Sequence, residues 1–408
     1  MISMKSLRYL YRIGHGPSSS HSIGPYRAAK YFRKRYPDAV QYDVTLYGSL
    51  ALTGRGHLTD KTIMETLAPI STKIVFDYKT PVPHPNTMDF TLYFADGTCI
   101  TKRIFSVGGG AIRIDGELEE AEEEVYLEKN FAEIYKVCKE NNWSLVDYVR
   151  HYEGDEIFEY LKEVYHQMLK TINNGLVATG ELPGRLHVKR RAQEFLQSKF
   201  EYESAVGRAY RSIMAFAFAT GEENAAGGIV VTAPTCGSAG TMPALLKYYQ
   251  GMYNVPEERV IESLAVGGVF GNIVKQNGSI SGAEAGCQAE IGTACSMTAA
   301  AYAYLKRLPI EGIECAAEVA MEHSLGSTCD PVGGYVQIPC IERNVLAATR
   351  AETAVRLAEY AADSHTVSFD EIVETMVQTG KDMKKAYRET SKGGLAKELK
   401  IRNKFSKK

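Results

Sequence analysis

The sequence predicts an α+β protein: a small N-terminal α/β sandwich domain over residues 1–112, a helical connector over 113–185 and a large all-α domain over 186–408. Three observations carry this. Short β-rich segments bounded by turn residues crowd the first quarter of the chain. Strand signals nearly vanish after residue 190. The segments that follow place apolar residues at helical spacing and are rich in Ala and Gly.

The elements follow in order. GPYRAAKYFRKRY (24–36) is helical, opened by a Gly-Pro step, because proline suits the first turn. YDVTLYG, TKIVFDY, MDFTLYFADG and TKRIFSV read as strands, and Asp96-Gly97 between the last two marks a hairpin. The sheet should carry helices on one face and end at Gly108-Gly109-Gly110. The acidic stretch GELEEAEEEVYLEK reads as a solvated helix face or a mobile connector. Residues 128–174 read as helices closed by Asn173-Asn174-Gly175, which tolerate a left-handed cap. ELPGRLHVKRRAQ is a second junction of irregular backbone. Beyond it, YESAVGRAYRSIMAFAFATG, TMPALLKYYQGM, GTACSMTAAAYAYLKRL and AATRAETAVRLAEYAADS read as closely packed, largely buried helices. No repeat recurs at a fixed period.

A net charge of −2 over 408 residues gives no reason to expect nucleic acid or a membrane surface as partner. The Lys-rich IRNKFSKK reads as a solvated tail. No run approaches the ~20 apolar residues that span a bilayer. The N-terminal MISMKSLRYLYRIGHG lacks a signal-peptide core, so a cytoplasmic protein is expected. Eight cysteines in a reducing compartment argue against a disulfide framework.

Five of these cysteines carry no strong signal. Cys99 in a strand, Cys138 in the connector, and Cys295 and Cys315 in Ala-rich helices read as buried hydrophobes. Cys236, in APTCGSAG, sits on a turn into a helix and either lines a site or does not. Cys287, Cys329 and Cys340 differ, each lying among small residues, Gly or Pro with an acidic residue close by. Asp330-Pro331 turns the chain after Cys329. Pro339 places Cys340 in the first turn of a helix, and Cys287 lies near a helix start. Helix dipoles there favour thiolates, which bind metal. Structural zinc sites usually supply close C-x2-C pairs, and none is present. Widely spaced single cysteines suit an iron–sulfur cluster, although spacing alone leaves the metal open.

A second constellation is GHGPSSSHSIGP (14–25). Its hydroxyls and amides at a helix start suit a carboxylate, with His21 as base or carboxylate partner. The same pattern also reads as a Ser-rich loop that caps a helix. His57 and His84 lie in polar loops and, with His21, would line a cleft.

These motifs resemble one family. GPSSSHSIGP, LYGSLALTGRGH, HPNTM, FSVGGG, LPGRLHVKRRA, EENAAGGIVVTAPTCGSAG, GSISGAEAGCQAEIGTACSM, MEHSLGSTCDPVGGYVQIPCIERN and ETMVQTGKDMKKAYRETSKGGLA look like the bacterial iron–sulfur L-serine dehydratases, in the expected order along almost the whole chain. The resemblance is to the single-chain form, with a β-type region before an α-type region. It implies an allosteric-substrate-binding-like N-terminal fold and an all-helical catalytic domain. It also implies a [4Fe-4S] cluster held by Cys287, Cys329 and Cys340. His21, His57 and His84 become catalytic candidates, Ser18, Ser19 and Ser20 substrate-binding candidates. L-serine is the implied substrate, and a homodimer the implied assembly. Many members end soon after GGLA with a cysteine able to ligate the cluster. Here Ile401 falls at about that position, which puts tail autoinhibition in doubt and leaves the fourth iron position to water or another ligand.

Mechanistically, the open iron would polarise the serine hydroxyl while His21 or His57 takes the Cα proton, with His84 as orienter or carboxylate partner. The site should form between the two domains. A pyridoxal-phosphate dehydratase is disfavoured, since no lysine sits in a Schiff-base context. A related lyase for L-threonine or L-cysteine differs only in pocket shape. An amino-acid sensor with a degenerate helical domain is disfavoured by the retained cysteine and histidine motifs.

Overall fold

The alternation of buried and exposed residues along the early strands builds a sheet with one dry face. A computed structural model describes residues 4–116 and 124–405, with side chains through residue 399. Its first elements are β1 (Met4–Lys5), β2 (Ile13–His15), α1 (Gly24–Arg35), β3 (Ala39–Tyr47), α2 (Gly48–Thr53) and α3 (Thr59–Leu67). Then come β4 (Ser71–Asp77), β5 (Thr87–Phe94), β6 (Cys99–Gly108) and β7 (Ala111–Ile114). Strands β3–β7 form one mixed sheet in the order β4-β3-β5-β6-β7, parallel only between β3 and β4. Tyr42, Val44, Leu46, Phe90, Leu92 and Ile104 pack against Ala28, Ala29, Phe32 and Ile63 of α1 and α3. The opposite face carries polar pairs such as Arg103 on Asp89, bidentate at 2.8 Å.

Two local expectations change here, and a third holds. Gly108-Gly109-Gly110 does not end the sheet: the glycines adopt positive φ and lead into a further strand, β7. Cys99 is exposed, because it opens β6 opposite Tyr93, away from the helix-covered face. The Asp96-Gly97 turn is present, with the Asp96 carboxylate accepting the Thr98 N–H at 2.9 Å.

The helical body begins with β8 (Glu124–Tyr126), α4 (Phe131–Asn141), α5 (Leu145–Glu153), α6 (Glu156–Val177), α7 (Ala192–Gln197), α8 (Ala205–Ala225) and β9 (Ile229–Val231). It continues with α9 (Thr241–Tyr253), α10 (Glu257–Asn277), α11 (Gly282–Ala285), α12 (Thr293–Leu305) and α13 (Ile310–Glu322). It closes with α14 (Cys340–Ala361), α15 (Phe369–Asp382) and α16 (Gly394–Phe405). Helices α10 and α12 are apolar nearly all round, the mark of a buried helix. Asn173-Asn174-Gly175 does not cap α6. The helix runs on to Val177, and Gly175 lets α8 approach so closely that a Cβ would stand 2.2 Å from the Ala219 carbonyl. Most of the acidic stretch lies outside the described residues; its end forms β8.

The chain start ties the two layers together. β1 pairs with β8 and β2 with β9, while Met4, Leu7, Leu10 and Tyr11 enter the helical core. Tyr11 donates to the Leu264 carbonyl at 2.8 Å. Residues 4–15 therefore pack on the helical body before the chain enters the sheet, so the packing boundary is not a single cut near residue 112. Among the described residues no helix is long and apolar enough to cross a membrane.

Candidate active site

Cys287, Cys329 and Cys340 come from three distant segments and line one narrow cleft. Cys287 precedes a wide helical turn that leads into α12, and its N–H donates to the Ser327 carbonyl at 2.9 Å. Cys329 is clasped by the chain after α15: its N–H donates to the Tyr387 carbonyl, and the Glu389 N–H donates to its own carbonyl, both at 2.8 Å. Cys340 is the first residue of α14.

Burial dominates the chemistry of these thiols. It pushes Cys287 up to about 11, and raises Cys329 and Cys340 well above the usual thiol range. Desolvation therefore outweighs the helix-end effect expected from sequence. Arg343, one turn into α14, opposes it beside Cys287 and Cys340. Its guanidinium pairs with Asp330 at 2.9 Å. A bound metal supplies the positive charge that three buried thiolates need, so the donor set fits a metal centre. No fourth cysteine is among the residues lining the cleft.

Part of the wall comes from the N-terminal layer and the last loop. Pro17, Ser18, His57 and Glu389 line the same cleft as the thiols. The His21 and His57 rings are 4.4 Å apart, centre to centre. Glu389 Oε1 is 3.8 Å from His21 Nδ1 and 3.9 Å from His57 Nε2. Among the described residues these three are the side chains placed closely enough to share a metal ion. They do not form ordinary ion pairs. Burial lowers His21 well below, and His57 to about 4, while burial and then Glu290 raise Glu389 well above the carboxylate range. Both imidazoles are therefore unprotonated at neutral pH.

The Ser-rich loop holds this wall in place. Ser18 Oγ accepts the His21 N–H at 3.1 Å, and Ser22 Oγ donates to the His57 carbonyl at 2.9 Å. Thr59 Oγ1 donates to the His21 carbonyl. Asn224 of α8 donates to the Pro17 carbonyl at 2.8 Å, fastening the loop to the helical body. Of the three serines, Ser18 lines the cleft; Ser19 and Ser20 are buried in the turn behind it.

His84 is not brought to this group. Its Nδ1 accepts the Asn86 N–H at 3.1 Å, and its Nε2 faces Glu284 of α11 at 4.0 Å. It stands one layer out, since Gly282 of α11 flanks Cys329 Sγ. Cys236 is buried with Ile23, Val230 and Ala239 and does not line the cleft, although its neighbour Gly237 does.

Sequence reasoning missed Ser49, Glu290, Arg343 and Glu389. Ser49 Oγ lies 3.1 Å from His21 Nε2. Glu290 lines the cleft three residues after Cys287, and burial raises it to about 7. Both belong to segments already singled out for His57 and Cys287, so proximity to those residues was the available signal. Arg343 follows Cys340 by three residues, one helical turn. Glu389 carried a fainter signal, an acidic residue beside a Ser/Gly-rich turn.

Buried thiols able to hold a metal, set against unprotonated imidazoles able to take a proton, define an enzyme site. Residues 98–396 match the serine dehydratase alpha chain and residues 6–73 the serine dehydratase beta chain, so the chain belongs to the serine dehydratase family in its single-chain form. The L-serine dehydratase of Streptomyces coelicolor is 39% identical, over 95% of this chain and 97% of that protein. L-serine dehydratase 1 of Escherichia coli is 38% identical over 96% and 99%, and the L-serine dehydratase of Haemophilus influenzae 39% over 96% and 99%.

Proposed function

We propose that this protein is an L-serine ammonia-lyase that dehydrates L-serine to aminoacrylate, which yields pyruvate and ammonia, with a [4Fe-4S] cluster as cofactor. The observation that carries this is the convergence of Cys287, Cys329 and Cys340 with His57 and Glu389 in one buried cleft. Membership of the serine dehydratase family supports it. The three cysteines would hold the cluster, which when bound supplies an open iron position that polarises the serine hydroxyl as leaving group.

The chain's own residues do the rest. His57 Nδ1 lies 3.0 Å from the Thr53 carbonyl, which only accepts, so Nδ1 carries the proton and Nε2 offers a lone pair to the cleft. His57 Nε2 is the base for the Cα proton. The resulting imidazolium, disfavoured by burial, readily returns that proton to the departing oxygen. Ser18 on the cleft wall orients the substrate carboxylate, with Ser19 and Ser20 shaping the turn behind it. His84 acts from one layer out, through Glu284 on α11. Pro17, Ile291, Pro331 and Val336 keep the cleft apolar between its polar groups. The protein works in the cytoplasm as a homodimer.

The test is turnover by protein purified without oxygen. Pyruvate and ammonia are expected in equal amounts from L-serine, with L-threonine and L-cysteine as competitors for assignment. A preparation that retains its metal yet forms no pyruvate contradicts the reading.

A further inference from the structure

The Glu389 carboxylate lacks a hydrogen-bond donor. Its side chain is 9% exposed, and its backbone is fixed at φ +54° by the clasp on Cys329. Among the described residues no donor lies within hydrogen-bond distance of its oxygens; the two nearest ring nitrogens stand at 3.8 and 3.9 Å. Those nitrogens are acceptors. His57 Nε2 is one, because Nδ1 donates to Thr53. His21 Nδ1 is the other. Ser49 Oγ donates to the Glu389 carbonyl at 3.4 Å, so it accepts from His21 Nε2–H at 3.1 Å, and the His21 lone pair on Nδ1 accepts from the Ser18 hydroxyl at 3.4 Å.

The Glu389 carboxyl and His57 Nε2 thus face one buried space in which neither meets a hydrogen-bonding partner. A group with several N–H bonds and a positive charge suits both, and its charge favours the ionised carboxylate. Glu290, the other carboxylate on the cleft, is already served by the Thr235 hydroxyl and lies beside Arg343. In the lyase reading the substrate hydroxyl and carboxylate have partners, and its ammonium group has none.

We propose that Glu389 binds the α-ammonium group of the substrate and so selects amino acids over hydroxy acids. His57 Nε2 then faces the adjacent Cα. This inference rests on the lyase reading and names the specificity of that same cleft. It also explains why the last loop clasps Cys329: the clasp delivers Glu389 to the cleft that the thiols line.

The test compares Glu389→Gln with wild type in anaerobically prepared holoenzyme, using L-serine and 3-hydroxypropanoate, which is serine without its ammonium group. The KM for L-serine should rise roughly 10- to 100-fold, the loss of a charge-assisted hydrogen bond. The inhibition constant of 3-hydroxypropanoate should stay within about threefold, since that ligand never met the carboxylate. Iron content reports whether the variant keeps its cofactor. If Gln loses it, Glu389→Asp carries the test, with the same split between the two ligands. Equal weakening of both ligands, or an unchanged KM for L-serine, overturns the proposal. So does one equivalent of added Zn²⁺ bound by wild type and lost in Glu389→Gln with iron retained, because the acceptors would then serve a metal ion. Wild-type enzyme that makes no pyruvate fails the lyase reading itself, whereas turnover without the split fails only the role of Glu389.

Discussion

Replacing Gly394 by alanine should release the loop that carries Glu389. Residues 384–396 carry Glu389, which lines the cysteine cleft, and are pinned where Asp330 Oδ2 accepts the Leu395 N–H at 2.8 Å. Gly394 has φ +56°, and a Cβ there would stand 2.2 Å from Asp330 Oδ2, far inside the ~3.5 Å of ordinary contact. The side chain must push the carboxylate away, which breaks a charge-assisted bond of roughly 1.5–3 kcal/mol. The left-handed backbone adds roughly 1–2 kcal/mol for a non-glycine residue. Together these give roughly 2.5–5 kcal/mol of local destabilisation, or a rise in loop opening of about 10²- to 10⁴-fold. Limited trypsin digestion with mass spectrometry reads this directly, because Lys384, Lys385, Arg388 and Lys392 all lie in the loop. Gly97→Ala is the control. It carries a similar backbone cost at φ +83° but meets nothing within 4 Å, and it lies in a distant hairpin. If Gly394→Ala resists trypsin at those four bonds as wild type does, Asp330 does not pin the loop.

Two further outcomes follow from burial. His57 is held at about 4 against an ordinary 6.5, so the unfolded chain binds a proton over a range where the folded site does not. Its contribution is complete above pH 6.5 and is lost as pH falls towards 4, by about 3 kcal/mol in all. His57→Asn, which keeps a donor towards Thr53, should flatten the fall in urea midpoint between pH 7 and pH 5; an equally steep fall in the variant would refute the assignment. Cys99 is the exposed cysteine, Cys340 is partly covered, and the other six are buried. Brief alkylation of the native protein should therefore modify Cys99 first, as peptide mapping would show, and prior labelling of Cys138 or Cys295 would contradict the packing.

The order of elements was legible because pleat and helix impose periods on any half-buried segment. The strands β3 to β6 and the helices α1 and α6 show them plainly, whereas α10, buried nearly all round, was not singled out. Features that depend on distant partners were not legible. Gly175 looked like a cap because its role, admitting α8, lies about forty residues away. Gly109-Gly110 looked like a break because a turn and a terminus share the same residues. The cleft shows the same division. Cysteines and histidines announce metal and proton chemistry by residue type alone. Glu290 and Glu389 are two among many acidic side chains, and only their burial beside the thiols sets them apart. His84 shared the histidine signal, yet the fold places it outside the cleft, beside Glu284.

The most direct test measures iron and acid-labile sulfide alongside L-serine turnover, in anaerobic wild type and in Cys287→Ser, Cys329→Ser and Cys340→Ser. Wild type should carry iron and sulfide in equal amounts and turn over serine, and each single substitution should abolish both cluster and activity. Activity without iron, or three variants that all keep the chromophore, would contradict the account.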